Sequence, residues 1–172
     1  MKVISRLITF SLLTYTSIFS QQTTFQDSLM ERMVGHWTLN GIIAGQETTH
    51  DISAAWVLDH QYLQIKEVSK EKDDKGNPAY EALVYIGWDS GLNQYACLWL
   101  DNTGGGGLKG GAIAHANRKE NEIAFLFKVN DKSNFHTTFV YDRQTDTWQW
   151  IMNDDENGKI EPFARVKLTR KL

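Results

Sequence analysis

The amino-acid sequence predicts an all-β domain, an antiparallel meander of about eight to ten strands closed into a barrel, with one short helix at its N-terminal end. Three observations carry this. From about residue 35 onward, apolar residues recur with a period of two. Turn-forming residues interrupt the pattern at intervals of roughly 8–12 residues. No segment between two strands is long and helical enough for the crossover that parallel pairing demands. The 172 residues are enough for one domain with a single core.

Residues 1–20 differ from the rest. "MKVISR" carries two positive charges, "LITFSLLTYTSIF" is an apolar run of 13 residues, and the small Ser20 precedes the polar "QQTT". Charged start, short apolar run and small residue at the break are the parts of a secretory signal peptide. The run is too short and too interrupted by Ser and Thr for a membrane span. The expected mature unit is therefore 21–172, exported to a periplasm or the extracellular space, with no stable membrane span. Cleavage after Ser20 removes Lys2 and Arg6 and leaves 16 basic against 21 acidic side chains, a net charge of −5. That balance argues against nucleic acid, which needs clustered Lys and Arg, and against an anionic membrane surface. Cys97 is the single cysteine, so no internal disulfide is possible and the fold rests on core packing. It alternates within an apolar run and reads as a small buried hydrophobe rather than a nucleophile.

The elements follow in order. In "FQDSLMERMVG", Phe25, Leu29 and Met33 recur every four residues with Met30 beside them, which predicts a helix of about two turns closed by Gly35. Strands are then expected in "HWTLNGIIA", "THDISAAWVLD" and "HQYLQIKEVS", where Leu63 and Ile65 oppose Gln64 and Lys66. "KEKDDKGNP" is a charged turn. "AYEALVYIGWD" and "QYACLWLD" form a hairpin across "SGLN". After a glycine-rich loop come "GAIAHA", "EIAFLFKV", "NFHTTFVYD", "TWQWIMN" and "EPFARVKLTR", separated by "NRKEN", "RQTD" and "DDENGK". "NDDENG" resembles the start of a calcium loop, but the glutamate such a loop needs at its twelfth position is Ala164, so it reads as a hairpin turn. An antiparallel meander best avoids exposed edges by closing into a barrel; a two-sheet sandwich is the alternative that the same pattern allows.

The glycine-rich loop holds six glycines in residues 104–111, and Gly105, Gly107 and Gly110 spell G-x-G-x-x-G. A dinucleotide site needs a helix opening from that loop, and the residues after it alternate as a strand does. A phosphate loop of the G-K-[ST] type is contradicted by Leu108-Lys109-Gly110. Without a helix N-terminus no aligned dipole holds a pyrophosphate. The loop reads as a flexible connection that approaches a backbone or a ligand closely.

"MVGHWTL", "WVLDHQYLQIKEVS" and "YEALVYIGWDSGLNQYACLWLDNTGGG" together resemble a bacterial lipocalin-like family of the calycin superfamily. Its pattern is G-x-W near the start, an aromatic-Gly-Tyr-Asp turn, W-x-D and a small-residue loop. These map to Gly35 and Trp37, to Gly87-Trp88-Asp89 with Trp88 in place of the usual Tyr, and to Trp99 and Asp101. The match spans about residues 30–110. The resemblance implies a calycin-type barrel with Trp37 plugging one end. It implies no activity, because none is established across the family.

A barrel of this size has an interior either filled with side chains or able to hold one small ligand. Six Trp and five Tyr lie in the expected mature unit. The candidate ligand-binding residues are Tyr85, Trp88, Tyr95, Trp99, Asp101, His115 and His136. Tyr95, Cys97 and Trp99 share one strand face, which Asp101 continues to the loop. If that face points inward, Asp101 is a polar group at a cavity mouth; otherwise it caps the glycine turn through its own backbone. His115 and His136 lie in strands, and one inward imidazole would suit haem, as in the related haem-binding nitrobindin barrels. No catalytic motif, no close histidine pair with metal spacing and no other cofactor is signalled. The expected partner is a small hydrophobic or amphipathic molecule. The alternatives are a haem protein or an enzyme using a cavity histidine, and a filled barrel acting through its surface.

Overall fold

The computed structural model describes residues 25–104, 108 and 112–171. The expected leader and most of the glycine run lie outside them. A 3-10 turn at Met30–Met33 precedes eleven strands. The first half holds β1 (Gly35–Ile43), β2 (Gln46–Val57), β3 (Tyr62–Ser69), β4 (Glu81–Asp89), β5 (Gln94–Asp101) and β6 (Ile113–Ala116). The second holds β7 (Arg118–Lys119), β8 (Glu122–Lys128), β9 (Ser133–Asp142), β10 (Thr147–Glu156) and β11 (Lys159–Arg170). Every pairing is antiparallel.

The sheet closes on itself. β1 pairs both β2 and the last strand, β11, with Trp37 opposite Arg170 and Ile43 opposite Ala164. β6 meets β8 at a single paired position, His115 opposite Leu126. β7 is a two-residue spur on β8, which leaves ten strands in the ring. The meander barrel expected from the period-two pattern is therefore the fold, and the sandwich alternative is not. Among the described residues no helix is long and apolar enough to cross a membrane.

Strand chemistry explains the closure. The longer strands alternate buried with less buried positions over most of their length, so one face lines the interior. At Gly41, φ is +151°, and a Cβ there would sit 2.3 Å from the Arg165 carbonyl oxygen. Only a residue without a side chain lets β1 and β11 approach so closely. The "NDDENG" segment is a hairpin, as expected, but a tighter one. β10 and β11 run on to Glu156 and from Lys159, around Asn157 and Gly158 at φ 54° and 83°. Two left-handed residues make the primed turn that matches strand twist.

The expected N-terminal helix is corrected: Phe25, Leu29 and Met33 do not form an α-helix, and only the four-residue 3-10 turn is present. The reason is tertiary: β1 begins at Gly35 and Phe25 is held by rings of the barrel wall. Asp27 Oδ1 accepts hydrogen bonds from the backbone N–H groups of Leu29 and Met30, both at 2.8 Å. The 3-10 turn brings Met30 and Met33 to one side, since residues three apart eclipse there. Both are fully buried in the barrel end. Phe25 instead packs among Trp56, Trp88 and Tyr95.

Asp27 ties this plug to the barrel wall. Its Oδ2 accepts from the Tyr95 hydroxyl at 2.5 Å and from the Arg118 guanidinium at 3.1 Å. Burial alone would raise the Asp27 carboxyl; the Tyr95 O–H, the Met30 N–H, Arg118 and the Leu29 N–H outweigh it and hold it below the ordinary aspartate range. A depressed carboxyl stabilises the fold above its unfolded pKa, and that stabilisation is lost as pH falls through the folded value. Asp27→Asn is therefore expected to flatten the loss of stability on acidification below about pH 4, read from urea midpoints at a series of pH values. An unchanged acid limb would show that Asp27 does not secure the plug.

Candidate functional site

The barrel has two unlike ends. One is closed by the 3-10 turn, Trp37 and the turns after β2, β4 and β9. The other carries the β1–β2 turn, the β3–β4 loop, the end of β5 and the start of β6. The inner face near this second end breaks the apolar pattern.

Two strands build the break. On β3, Leu63, Ile65, Glu67 and Ser69 occupy the buried phase. On β2, His50 shares the buried phase with Ile52 and Ala54. Register places Glu67 opposite Ile52 and His50 opposite Ser69, so the two polar side chains meet diagonally. His50 Nδ1 lies 2.5 Å from Glu67 Oε1, and the residues are 4% and 1% exposed. The Thr48 hydroxyl donates to Glu71 Oε2 at 3.0 Å, and its oxygen lies 2.8 Å from His50 Nε2. Both ring nitrogens thus have an oxygen within hydrogen-bond distance. The Tyr80 ring stacks on His50 at 5.6 Å between centroids. Its hydroxyl accepts from Trp99 Nε1–H at 3.0 Å. Burial first, then the nearby charge of Glu67, raises the Tyr80 phenol well above the ordinary tyrosine value; the Trp99 hydrogen bond opposes this and Asp101 adds to it. Trp99 in turn meets Trp150 edge to face at 6.1 Å.

Three buried polar atoms have no hydrogen-bond partner among the described residues: Glu67 Oε2, Thr137 Oγ1 and Trp150 Nε1. Thr137 and Trp150 are inner-face neighbours, since Phe139 opposes Trp150 and Thr137 opposes Met152. A buried polar group left unpaired costs about 1–3 kcal/mol, more when charged. Glu67 on β3 lies across the ring from Thr137 on β9 and Trp150 on β10, so the orphaned atoms occupy opposite sides of the interior.

The expected site residues divide into three groups. Trp99 and Asp101 belong to the polar end. Asp101 serves chiefly as a turn cap, accepting from the Thr103 backbone N–H at 2.9 Å and from its hydroxyl at 2.5 Å. Trp88 and Tyr95 are on the same inner phase but at the opposite, plugged end. Trp88 is 42% exposed and stacks on Phe25, and Tyr95 holds Asp27. Tyr85, His115 and His136 lie on the outer face. The Tyr85 hydroxyl accepts from Gln64 Nε2 at 2.8 Å. His115 and His136 lie 3.3 Å from Asp89 and Asp155. His115 alternates with the buried Ala114 and Ala116, and His136 precedes the buried Thr137, so neither imidazole nominated for haem faces the interior. Cys97 is fully buried, and burial alone raises its thiol far above the ordinary cysteine value.

His50, Glu67 and Tyr80 are not among the residues that the sequence singles out. The signal existed: Glu67 falls in phase with Leu63 and Ile65, a charge at a position that should be apolar. Carboxylate, imidazole and hydroxyl stand here in the order used by nucleophilic relays. Thr48, however, gives its proton to Glu71, so its oxygen is not activated by the ring. Among the described residues no group of three or more His, Cys, Asp or Glu side chains is placed to hold a metal ion. The sequence matches no family model. No curated protein matches it either.

Proposed function

We propose that the protein binds a small amphipathic molecule inside the barrel, at the end that carries the β3–β4 loop. The observation that carries this is the buried Glu67 carboxylate, with one oxygen on His50 and the other unpartnered, near the Tyr80 phenol, which bonds Trp99, which in turn meets Trp150. A binding site of this kind is mostly apolar with a few convergent polar groups. The rings supply apolar area, worth about 25 cal/mol per Å² buried before the cost of ordering the ligand. The orphaned atoms supply orientation. The ordered G-x-W, G-W-D and W-x-D motifs favour the same reading through their resemblance to lipocalin-like barrels, and the apolar leader favours a role outside the cytoplasm.

Native mass spectrometry of the protein purified without detergent from its own source tests this. The expected result is a small organic adduct that unfolding releases, and Trp99→Leu is expected to weaken its retention. A protein that carries no adduct, and takes up none from a total lipid and metabolite extract, is a barrel filled by its own side chains, and the reading fails.

A further inference from the structure

The charges and rings at this end narrow the class of molecule. Glu67 is the deepest charged group in the barrel wall, 1% exposed. An ionised carboxylate only accepts hydrogen bonds, and Oε2 has no donor among the described residues. Asp101 lies near the Tyr80 phenol, and Glu71 lies at the rim against Thr48 and the Thr49 N–H. Against these three acids the described interior at this end offers one basic side chain, His50. The nearby lysines and arginine point outward and are engaged there. Lys66 pairs with Glu81 and Lys70 with Asp51. Arg165 donates to the Met152 and Ala164 carbonyl oxygens.

Resting on the ligand-binding reading above, we infer that the bound molecule is an organic amine, with its ammonium group on Glu67 Oε2 and its apolar body against Tyr80, Trp99 and Trp150. The ammonium supplies the donor that Oε2 lacks, and a charged donor on a charged acceptor makes the stronger class of hydrogen bond. Indole and phenol faces attract a cation electrostatically, most of all where water is excluded. Trp150 Nε1–H and the Thr137 hydroxyl then serve an uncharged acceptor, such as an ether or carbonyl oxygen, farther along the same molecule. A carboxylate ligand meets the opposite situation: it places a second acid beside Glu67, which a desolvated site opposes strongly.

Calorimetric titration with octylammonium, octanol and octanoate tests the inference, because the three share one chain and differ only in the head group. Octylammonium is expected to bind the full-length protein at least about tenfold more tightly than octanoate, with octanol between them. In Glu67→Gln, which keeps the shape and removes the charge, the preference should contract to within about threefold. Asp101→Asn retains the turn cap and should reduce the preference by a smaller factor, which gives a second measure if Glu67→Gln folds poorly. Octanol or octanoate binding as tightly as octylammonium overturns the amine assignment and leaves the ligand-binding barrel standing. Failure of all three to bind overturns both.

Discussion

His50→Leu is expected to destabilise the barrel by about 3–5 kcal/mol, the usual consequence of removing one partner from a buried ion pair. The imidazole is 4% exposed and its Nδ1 sits 2.5 Å from Glu67 Oε1. Leucine fills similar volume but supplies no donor. Glu67 is then left with both oxygens unpartnered at 1% exposure, and Thr48 loses the Nε2 contact. Replacing both residues, His50→Leu with Glu67→Met, removes the stranded charge as well. The double variant should recover most of the loss, because apolar residues of matching volume often replace a buried pair at little cost. Urea denaturation of the two single variants and the double variant measures the coupling directly. A single-variant loss below about 1 kcal/mol is what an exposed pair gives, and would mean that water reaches Glu67 freely.

Trp37→Ala should be comparably severe, about 3–5 kcal/mol, the range for truncating a buried aromatic residue. The indole is fully buried and closes the end of the barrel opposite the polar site. Its Nε1–H donates to the Met33 carbonyl oxygen at 2.8 Å, which holds the 3-10 turn in place. The Arg170 guanidinium lies 3.9 Å from the ring centroid and reaches Asp146, Val34 and Arg32. Removing the ring therefore opens a cavity and cuts the link between plug and wall. Trp37→Phe keeps much of the apolar area but leaves the Met33 carbonyl without its donor, so its loss should be smaller. Trp37→Ala should lower the urea midpoint sharply while amine binding at the other end, measured where the variant is still folded, changes little. Equal effects on both would show that the two ends do not act separately.

The contrast between these ends bears on how far residues alone reveal a site. Trp99 was legible as an inner-face ring because Tyr95, Cys97 and Trp99 alternate with Gln94, Ala96 and Leu98. Tyr95 shares its phase, yet it lies at the plug, because a phase says nothing about height in a barrel. His115 and His136 show a second limit. A period of two sorts a strand into two faces without saying which one turns inward. The buried Ala114 and Ala116 settle that for His115, and their small size hid the signal. Glu67 could have been found from its own phase, but its partner could not. His50 lies 17 residues away, and only the β2–β3 register brings the two together. The N-terminal segment fails differently. Its apolar spacing suits an α-helix, but Phe25 gains more by packing on Trp88 and Tyr95 than by extending a helix of two turns, which is marginal in isolation.

Alternation, turn residues and the lack of a helical crossover are local properties, so the sequence by itself determined the strands and their antiparallel order, while closure into a barrel rather than a sandwich was decided by the β1–β11 and β6–β8 pairings. The rejection of a nucleotide loop was equally local: the residues after the glycine run alternate, and β6 (Ile113–Ala116) is a strand. Which face turns inward, which end is plugged and which polar groups meet were decided only by the tertiary structure. Those depend on register between strands far apart in the chain, where each pairing is set by burial on both partners at once.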